Sequence, residues 1–231
     1  MAHTRLSIII PALNEVESIG SLIDHLKISA SDFGQLEIIV VDGGSTDQTI
    51  EIAKAKNVTV ISSPKGRAKQ MNAGADIAQG AILYFLHADS FPPEHYDTFI
   101  YDEILKNNLA GCFRMRFDSN HWWLRLASWL TQFSWRACRG GDQSQFITKE
   151  LFEEIGGFNE AFIVYEDNDL INKLYARDEF VVINKKLTTS ARRYKKNGTW
   201  KLQYHFWAIY VKKWFGASAE ELYDYYKRKI A

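Results

Sequence analysis

Residues 81–90 read AILYFLHADS, and no other stretch limits the fold as tightly. Five or six apolar residues run without alternation and then stop at His87-Ala88-Asp89. A short continuous apolar run reads as a strand buried on both faces, at the centre of a parallel sheet. Ligands in such sheets bind outside the carboxyl ends of the strands. Asp89 falls at that end, and the polar loops at Asn14, Asp42 and Asp142 are expected to converge on it. A plain turn before Pro92-Pro93 also accommodates an Asp here.

The chain before this strand repeats one pattern. Leu6–Ile10 is an apolar run closed by Pro11, and Val16, Ile19, Leu22, Ile23 and Leu26 then recur at helical spacing. Leu36–Val41 is a second strand, ending in Asp42-Gly43-Gly44-Ser45-Thr46-Asp47. Ser45 or Thr46 is expected to cap a helix to about Ala55. Val58–Ile61 is a third strand, followed by a loop and a helix over 65–78. Alternating strands and helices predict an α/β fold, a Rossmann-like, mostly parallel sheet flanked by helices. Neither Gly-x-Gly-x-x-Gly nor a Walker phosphate loop is present.

After Pro93 the pattern changes. The sequence predicts a helix to about Lys106, an alternating strand over 112–117, and an aromatic helix ending near Trp135. A short strand and a helix follow Gly140-Gly141-Asp142-Gln143, and another helix opens at Tyr165-Glu166-Asp167-Asn168-Asp169. Val181–Ile183 and Leu187–Thr189 read as two short strands. The simplest division is a catalytic domain over 1–197, with a nucleotide-binding half (1–90) and an acceptor half (91–197), and a helical tail over 198–231.

Composition excludes several classes. The 231 residues carry 28 Lys+Arg and 28 Asp+Glu, which argues against general nucleic-acid affinity. Residues 1–120 hold 10 basic against 15 acidic side chains and the remainder 18 against 13, so the surface is polarised. Cys112 and Cys138 form no Cys-x-x-Cys pair or disulfide framework, and are read as reduced thiols of a cytoplasmic protein. The opening residues are too quickly polar for a signal peptide, and no stretch reaches about 18 uninterrupted apolar residues.

Several side chains suit a polar, phosphorylated ligand. Carboxylates such as Asp42 and Asp89, expected at the ends of neighbouring strands, can hold Mg2+ or Mn2+, with substrate phosphates completing the shell. Gly43-Gly44 permits close backbone approach, and the Arg67 guanidinium suits a diphosphate. Glu166, Asp167 and Asp169 crowd a helix start, which the helix dipole favours on its own. The functional alternative is a general base among Asp167, Glu166 and Asp142.

The set Pro11-Ala12-Leu13-Asn14-Glu15, Val41-Asp42-Gly43-Gly44-Ser45-Thr46-Asp47, Gly66-Arg67 with Asn72-Ala73-Gly74, Leu86-His87-Ala88-Asp89 and Glu166-Asp167 resembles the ordered motifs of family 2 glycosyltransferases. The subgroup it resembles is the short bacterial one with Leu-His-Ala-Asp, Gly-Asp-Gln and Thr-Ser-Ala-Arg-Arg. The resemblance implies a GT-A fold that takes a nucleoside-diphosphate sugar and inverts the anomeric centre. It implies that Pro11, Asn14, Glu15, Asp42, Gly43, Gly44, Arg67, Asn72, His87 and Ala88 line the nucleotide-sugar pocket. Asp89 corresponds to the metal-binding Asp of Asp-x-Asp, and Asp167 to the base that deprotonates the acceptor. His87 stands where the first Asp of that motif is usual. Gln-x-x-Arg-Trp is missing, and Arg192 or Arg193 takes over its contact to the diphosphate. The rival readings are a nucleotidyltransferase and a nucleotide-sugar binding module without catalysis.

Trp200, Tyr204, Trp207, Val211 and Trp214 mark one face of a tail helix, flanked by Lys201, Lys212 and Lys213. Such a face covers the domain, a second copy in a homodimer, or a membrane surface with acidic lipid, where the acceptor would be lipid-linked. Ser218 and Glu221 predict a capping box for a final helix.

Overall fold

In the computed structural model, which describes residues 5–140 and 143–230, strands and helices alternate through the first half of the chain. They are β1 (Leu6–Ala12), α1 (Ile19–Ser29), β2 (Leu36–Asp42), α2 (Thr49–Ala55), β3 (Thr59–Ser62), α3 (Arg67–Ile77) and β4 (Ile82–Phe85). Then come β5 (Ser90–Phe91), α4 (Tyr96–Leu105), β6 (Ala110–Phe117), α5 (Trp122–Leu130), β7 (Gln145–Thr148) and α6 (Lys149–Glu154). The chain closes with α7 (Glu166–Tyr175), β8 (Val181–Thr189), α8 (Arg192–Asn197), α9 (Thr199–Trp214) and α10 (Ala219–Lys229).

One sheet of eight strands joins the described residues in the order β3-β2-β1-β4-β7-β6-β8-β5. β1 pairs in parallel with β2 and β4, β2 with β3, and β6 with β8. β7 runs antiparallel to both β4 and β6, and β5 antiparallel to β8. The sheet is thus mostly parallel, and its antiparallel members all belong to the second half. β4 lies between β1 and β7 with all four residues buried, as its unbroken apolar run predicts.

Apolar side chains alternate between two layers. Ile8, Ile10, Ile38, Val40 and Tyr84 pack with Leu22, Leu26 and Ile100 on the side of α1 and α4. Ile9, Val41, Leu83 and Phe85 pack with Met71, Phe152 and Leu170 on the side of α3, α6 and α7. Burying each such Ile, Leu or Phe contributes roughly 1.5–3 kcal/mol. α3 approaches the sheet at Gly74, where an added Cβ would sit 2.5 Å from Ile9 Cγ2. A third cluster joins Met115, Phe117 and Leu124 to Leu202, Ile209 and Leu222, so α9 and α10 pack on β6 and α5.

Several boundaries differ from expectation for identifiable reasons. β1 continues through Pro11, paired with Val41 of β2. Ile9 C=O accepts from Leu86 and Ala12 C=O from Gly43, so residue 11 faces the β4 side, beyond the last β1–β4 pair at Ile9 and Phe85. A missing N–H costs nothing there. Val181–Thr189 is one strand, and the register steps from Phe113–Ile183 to Arg114–Lys186 across a bulge. The aromatic helix ends at Leu130, not near Trp135. The Ser218–Glu221 capping box is present. No helix among the described residues is long and apolar enough to cross a membrane.

Candidate active site

The carboxyl ends of β1, β2 and β4 form a rim. Asp42 and Asp89 do not stand on neighbouring strands, because β1 lies between β2 and β4. The buried Asp42 carboxylate accepts from the backbone N–H of Gly44 (2.9 Å) and Ser45 (3.1 Å). It thereby folds the glycine turn, in which Gly44 adopts φ +95°. The neighbouring loop is tied to this turn. Asn14, itself left-handed at φ +55°, donates its N–H to Ser45 Oγ (2.9 Å) and accepts from Thr46 N–H through Oδ1 (2.8 Å). Glu15 N–H donates to Thr49 Oγ1 (2.8 Å). Ser45 and Thr46 therefore fasten two loops together and do not cap α2, whose N-cap residue is Gln48. Asp47 accepts from the Thr49 side chain, which holds its carboxyl below the usual carboxylate range.

Gln70 went unnoticed in the sequence. Its buried amide donates to Ala12 O (2.9 Å) and Val41 O (2.7 Å), bridging β1 and β2 beneath the rim. Its only signal is a place one turn after Arg67 on α3. Asn72 is spent elsewhere: its amide bonds to the backbone of Phe158 (2.9 and 3.1 Å) and to Glu160 Oε1 (3.0 Å), fixing the 158–160 segment to α3.

A basic arm crosses the rim from α8. Arg192 Nη2 bonds both Glu15 carboxylate oxygens at 3.0 Å. Burial alone lowers its basicity, but the charges of Glu15, Asp89 and Glu17 outweigh that and leave the guanidinium more basic than usual. Arg193 turns into the tail, where Nη2 donates to Tyr226 Oη (2.7 Å) and the guanidinium lies 5.7 Å from the Phe206 ring. Arg192, Arg193, Lys196, Asn14, Glu17 and Tyr226 border an open cleft of about 630 Å³.

The start of α7 supplies the acidic side. Tyr165 precedes it at φ +83°, an uncommon conformation for a bulky residue and one found where a site over-determines the backbone. Glu166 and Asp167 are buried, and Arg67 Nη1 reaches to 3.6 Å of Glu166 Oε1. Asp167 borders a narrow cleft with Pro11, Leu86, His87, Gln143 and Gln145. Half-buried Asp89 lies just past His87, and its C=O accepts from Ser190 N–H (3.3 Å). Ala88 is buried beside it. Asp142 lies outside the described residues. The structure thus brings Pro11, His87 and Asp167 into one cleft and sets Asp89 opposite Arg192.

The donor set tests the metal expectation. Among the described residues no three His, Cys, Asp or Glu converge to hold an ion. A lone carboxylate suits Mg2+ or Mn2+, which keep waters and take substrate phosphate oxygens, and does not suit an all-protein cage. Asp89 fits that role.

Comparison with known proteins follows the same lines. The model of glycosyl transferase family 2 matches residues 7–160. The PGL/p-HBAD biosynthesis glycosyltransferase of Mycobacterium tuberculosis is 30% identical over 193 residues, covering 78% of this chain and 73% of its own. S. aureus TarS 1–349, solved in complex with UDP, superposes with TM-score 0.65 at 19% identity, over 81% of this chain and 60% of its own. This chain therefore spans less than two thirds of that fragment. The glucosyl-3-phosphoglycerate synthase of M. tuberculosis, crystallised with Mn2+, UDP and glucosyl-3-phosphoglycerate, superposes with TM-score 0.60 at 20% identity, over 79% of this chain and 70% of its own. At such identities the likeness establishes the fold, which is the GT-A type.

Proposed function

The chain belongs to glycosyl transferase family 2, and from that membership we propose that it is an inverting glycosyltransferase taking a nucleoside-diphosphate sugar. The observation that carries this reading is a pair of clefts at the carboxyl ends of the strands, one bordered by Asn14 of the tied loops and by Arg192, whose charge Asp89 offsets, the other by Pro11, His87 and Asp167. The nucleotide lies against Pro11, Asn14, Glu15 and the Asp42-Gly43-Gly44 turn. Arg67 and Arg192 face its diphosphate, Arg192 after exchanging Glu15 for phosphate oxygens. His87 and Ala88 border the sugar.

Asp89 would hold Mg2+ or Mn2+, which neutralises charge on the diphosphate when bound. Asp167 accepts the proton of the acceptor hydroxyl as its oxygen bonds to the anomeric carbon. The bond from that carbon to the phosphate oxygen breaks on the opposite face, and the nucleoside diphosphate leaves with the electron pair. Glu166 holds Arg67 in place beside the leaving group. Calorimetric titration of UDP and GDP, with and without Mn2+, followed by a donor-hydrolysis assay, tests this reading. Metal-dependent binding with sugar release is expected. Absence of nucleotide binding refutes the donor, and binding without turnover leaves only a binding module.

The acceptor side involves the tail. Trp200, Tyr204, Trp207, Val211 and Trp214 stay between 46% and 83% exposed, so packing on Trp123 of α5, whose ring lies 5.4 and 5.6 Å from those of Trp200 and Trp207, covers the stripe only in part. Trp122 of α5 extends the face, its ring 5.6 Å from that of Trp200. Residues 180–219 hold nine Lys+Arg and no Asp or Glu. Pairing two copies through this face sets like charges together, whereas an anionic bilayer complements it. The proposed setting is the cytoplasmic membrane surface, with a lipid-linked acceptor. Vesicles containing acidic lipid should sediment the protein, raised salt should release part of it, and Trp207→Glu with Trp214→Glu should abolish sedimentation. A protein that never sediments and elutes as a dimer assigns the face to a second copy.

A further inference from the structure

Gln145 opens β7 beside the carboxyl end of β4, paired with Phe85 on one side and Cys112 on the other. It is 2% exposed, and among the described residues neither Nε2 nor Oε1 has a hydrogen-bond partner. Its side chain borders the same cleft as His87 and Asp167, where Pro11, Met71 and Leu86 supply apolar wall and leave no room for a water molecule, so a hydroxyl reaches the amide only by parting that wall. Gln143, two residues earlier, differs. It donates to Cys138 O (2.9 Å) and accepts from Arg139 Nη1 (2.8 Å), so that amide is spent on holding its own loop.

A buried amide without a partner weakens a fold, because its hydration is lost and nothing replaces it. Met would occupy the same space without that loss. The amide plane offers one donor edge and one acceptor edge. A hydroxyl, being both donor and acceptor, answers both edges. A phosphate or carboxylate accepts only, and would set an anion against Oε1.

We propose that Gln145 binds a hydroxyl of the transferred sugar, held between the Asp89 loop and Asp167, and thereby selects the donor sugar. The proposal rests on the reading of this cleft as the donor-sugar site. Sites that hydrogen-bond a substrate hydroxyl through buried groups reject the analogue lacking it, since those groups are then left unpaired. Gln145 is a specificity residue in this scheme and moves no proton.

The test titrates UDP, GDP, UDP-glucose, UDP-galactose, UDP-N-acetylglucosamine and GDP-mannose, each with Mn2+, into the parent and into Gln145→Met. The parent should prefer one donor, and Gln145→Met should lose about tenfold or more of that affinity while binding the matching free nucleotide within about twofold. One monodeoxy analogue of the preferred donor should bind the parent about tenfold more weakly, and bind Gln145→Met as the intact donor does. Free of ligand, Gln145→Met should melt above the parent, because an amide that has no partner among the described residues is gone. A variant that keeps the parent's preference overturns the proposal, as does a parent without one. If the parent binds free nucleotide and no donor, or nothing at all, the reading of the cleft falls and the proposal with it. Should Gln145→Met not fold, Gln145→Glu keeps size and acceptor while removing the donor edge, and carries the same comparison.

Discussion

The two halves of the sheet are built by different rules. In the first, β1 and β2 are buried on both faces, and their loops are closed by hydrogen bonds among themselves: Asp42 to its own turn, Asn14 to Thr46, Gln70 across two strands. In the second, β6 and β8 are part exposed, parallel and antiparallel pairings are mixed, and order comes from helices packed late in the chain. A rigid cradle thus faces a wall assembled from distant segments. In the proposed reaction the first half would hold the nucleotide, and the second would supply the base, Asp167.

Substitutions can break this contrast, and the largest effect belongs to the second half. Asp167→Asn should lower sugar transfer by about 10²–10⁴-fold, the contribution of a general base, with UDP affinity nearly unchanged. Near-parental turnover, measured with the donor established by titration, would pass the role to Glu166 or Asp142. Next is packing between β6 and β8. An added Cβ at Gly111 would collide with the Val181 carbonyl oxygen, and backbone cannot yield as a side chain does. Gly111→Ala should cost about 3 kcal/mol in denaturant unfolding. A cost below about 1 kcal/mol would show that this half is looser than its strand pairing suggests.

The smaller effects belong to the cradle. Asp89→Asn should weaken Mn2+-dependent nucleotide binding about tenfold and leave metal-free binding alone, because one charged ligand is removed. Equal binding by parent and variant removes Asp89 from the metal site. Gly44→Ala should cost about 1 kcal/mol of stability, from backbone strain alone. Nothing lies within 4 Å of its added Cβ, and φ is +95°. A cost like that of Gly111→Ala would erase the contrast between the two positions.

The first half was legible because its signals are local. Unbroken apolar runs mark β1, β2 and β4, and the polar residues that follow them lie at the rim by geometry alone. The second half was less so, because its decisive facts are relations between distant residues. Nothing in Val181–Thr189 shows that Asn184 and Lys185 form a bulge against β6, and the polar residues between two apolar pairs read as a break. Pro11 misled similarly: its missing donor matters only if a neighbour stands opposite, and β4 stops short of it. Arg192 and Arg193 are adjacent in sequence and separate only in three dimensions, one towards Glu15 and one towards Tyr226. Gln145 carries no motif at all, and its interest lies in what surrounds it.

One contact joins the aromatic face to the acid side of the site. Tyr210 of α9 stacks edge-on with Tyr165 at 5.8 Å and accepts from Asn168 Nδ2 at 3.3 Å, so α9 is fastened to the first turn of α7, where Asp167 sits. Fastened sites obey reciprocity. Whatever factor surface docking adds to acceptor affinity at Asp167, a bound acceptor must add to surface affinity. Under the proposed docking, and where that factor is favourable, the enzyme would dwell on its surface while occupied and let go more readily when empty. Residence time then becomes a readout of substrate supply.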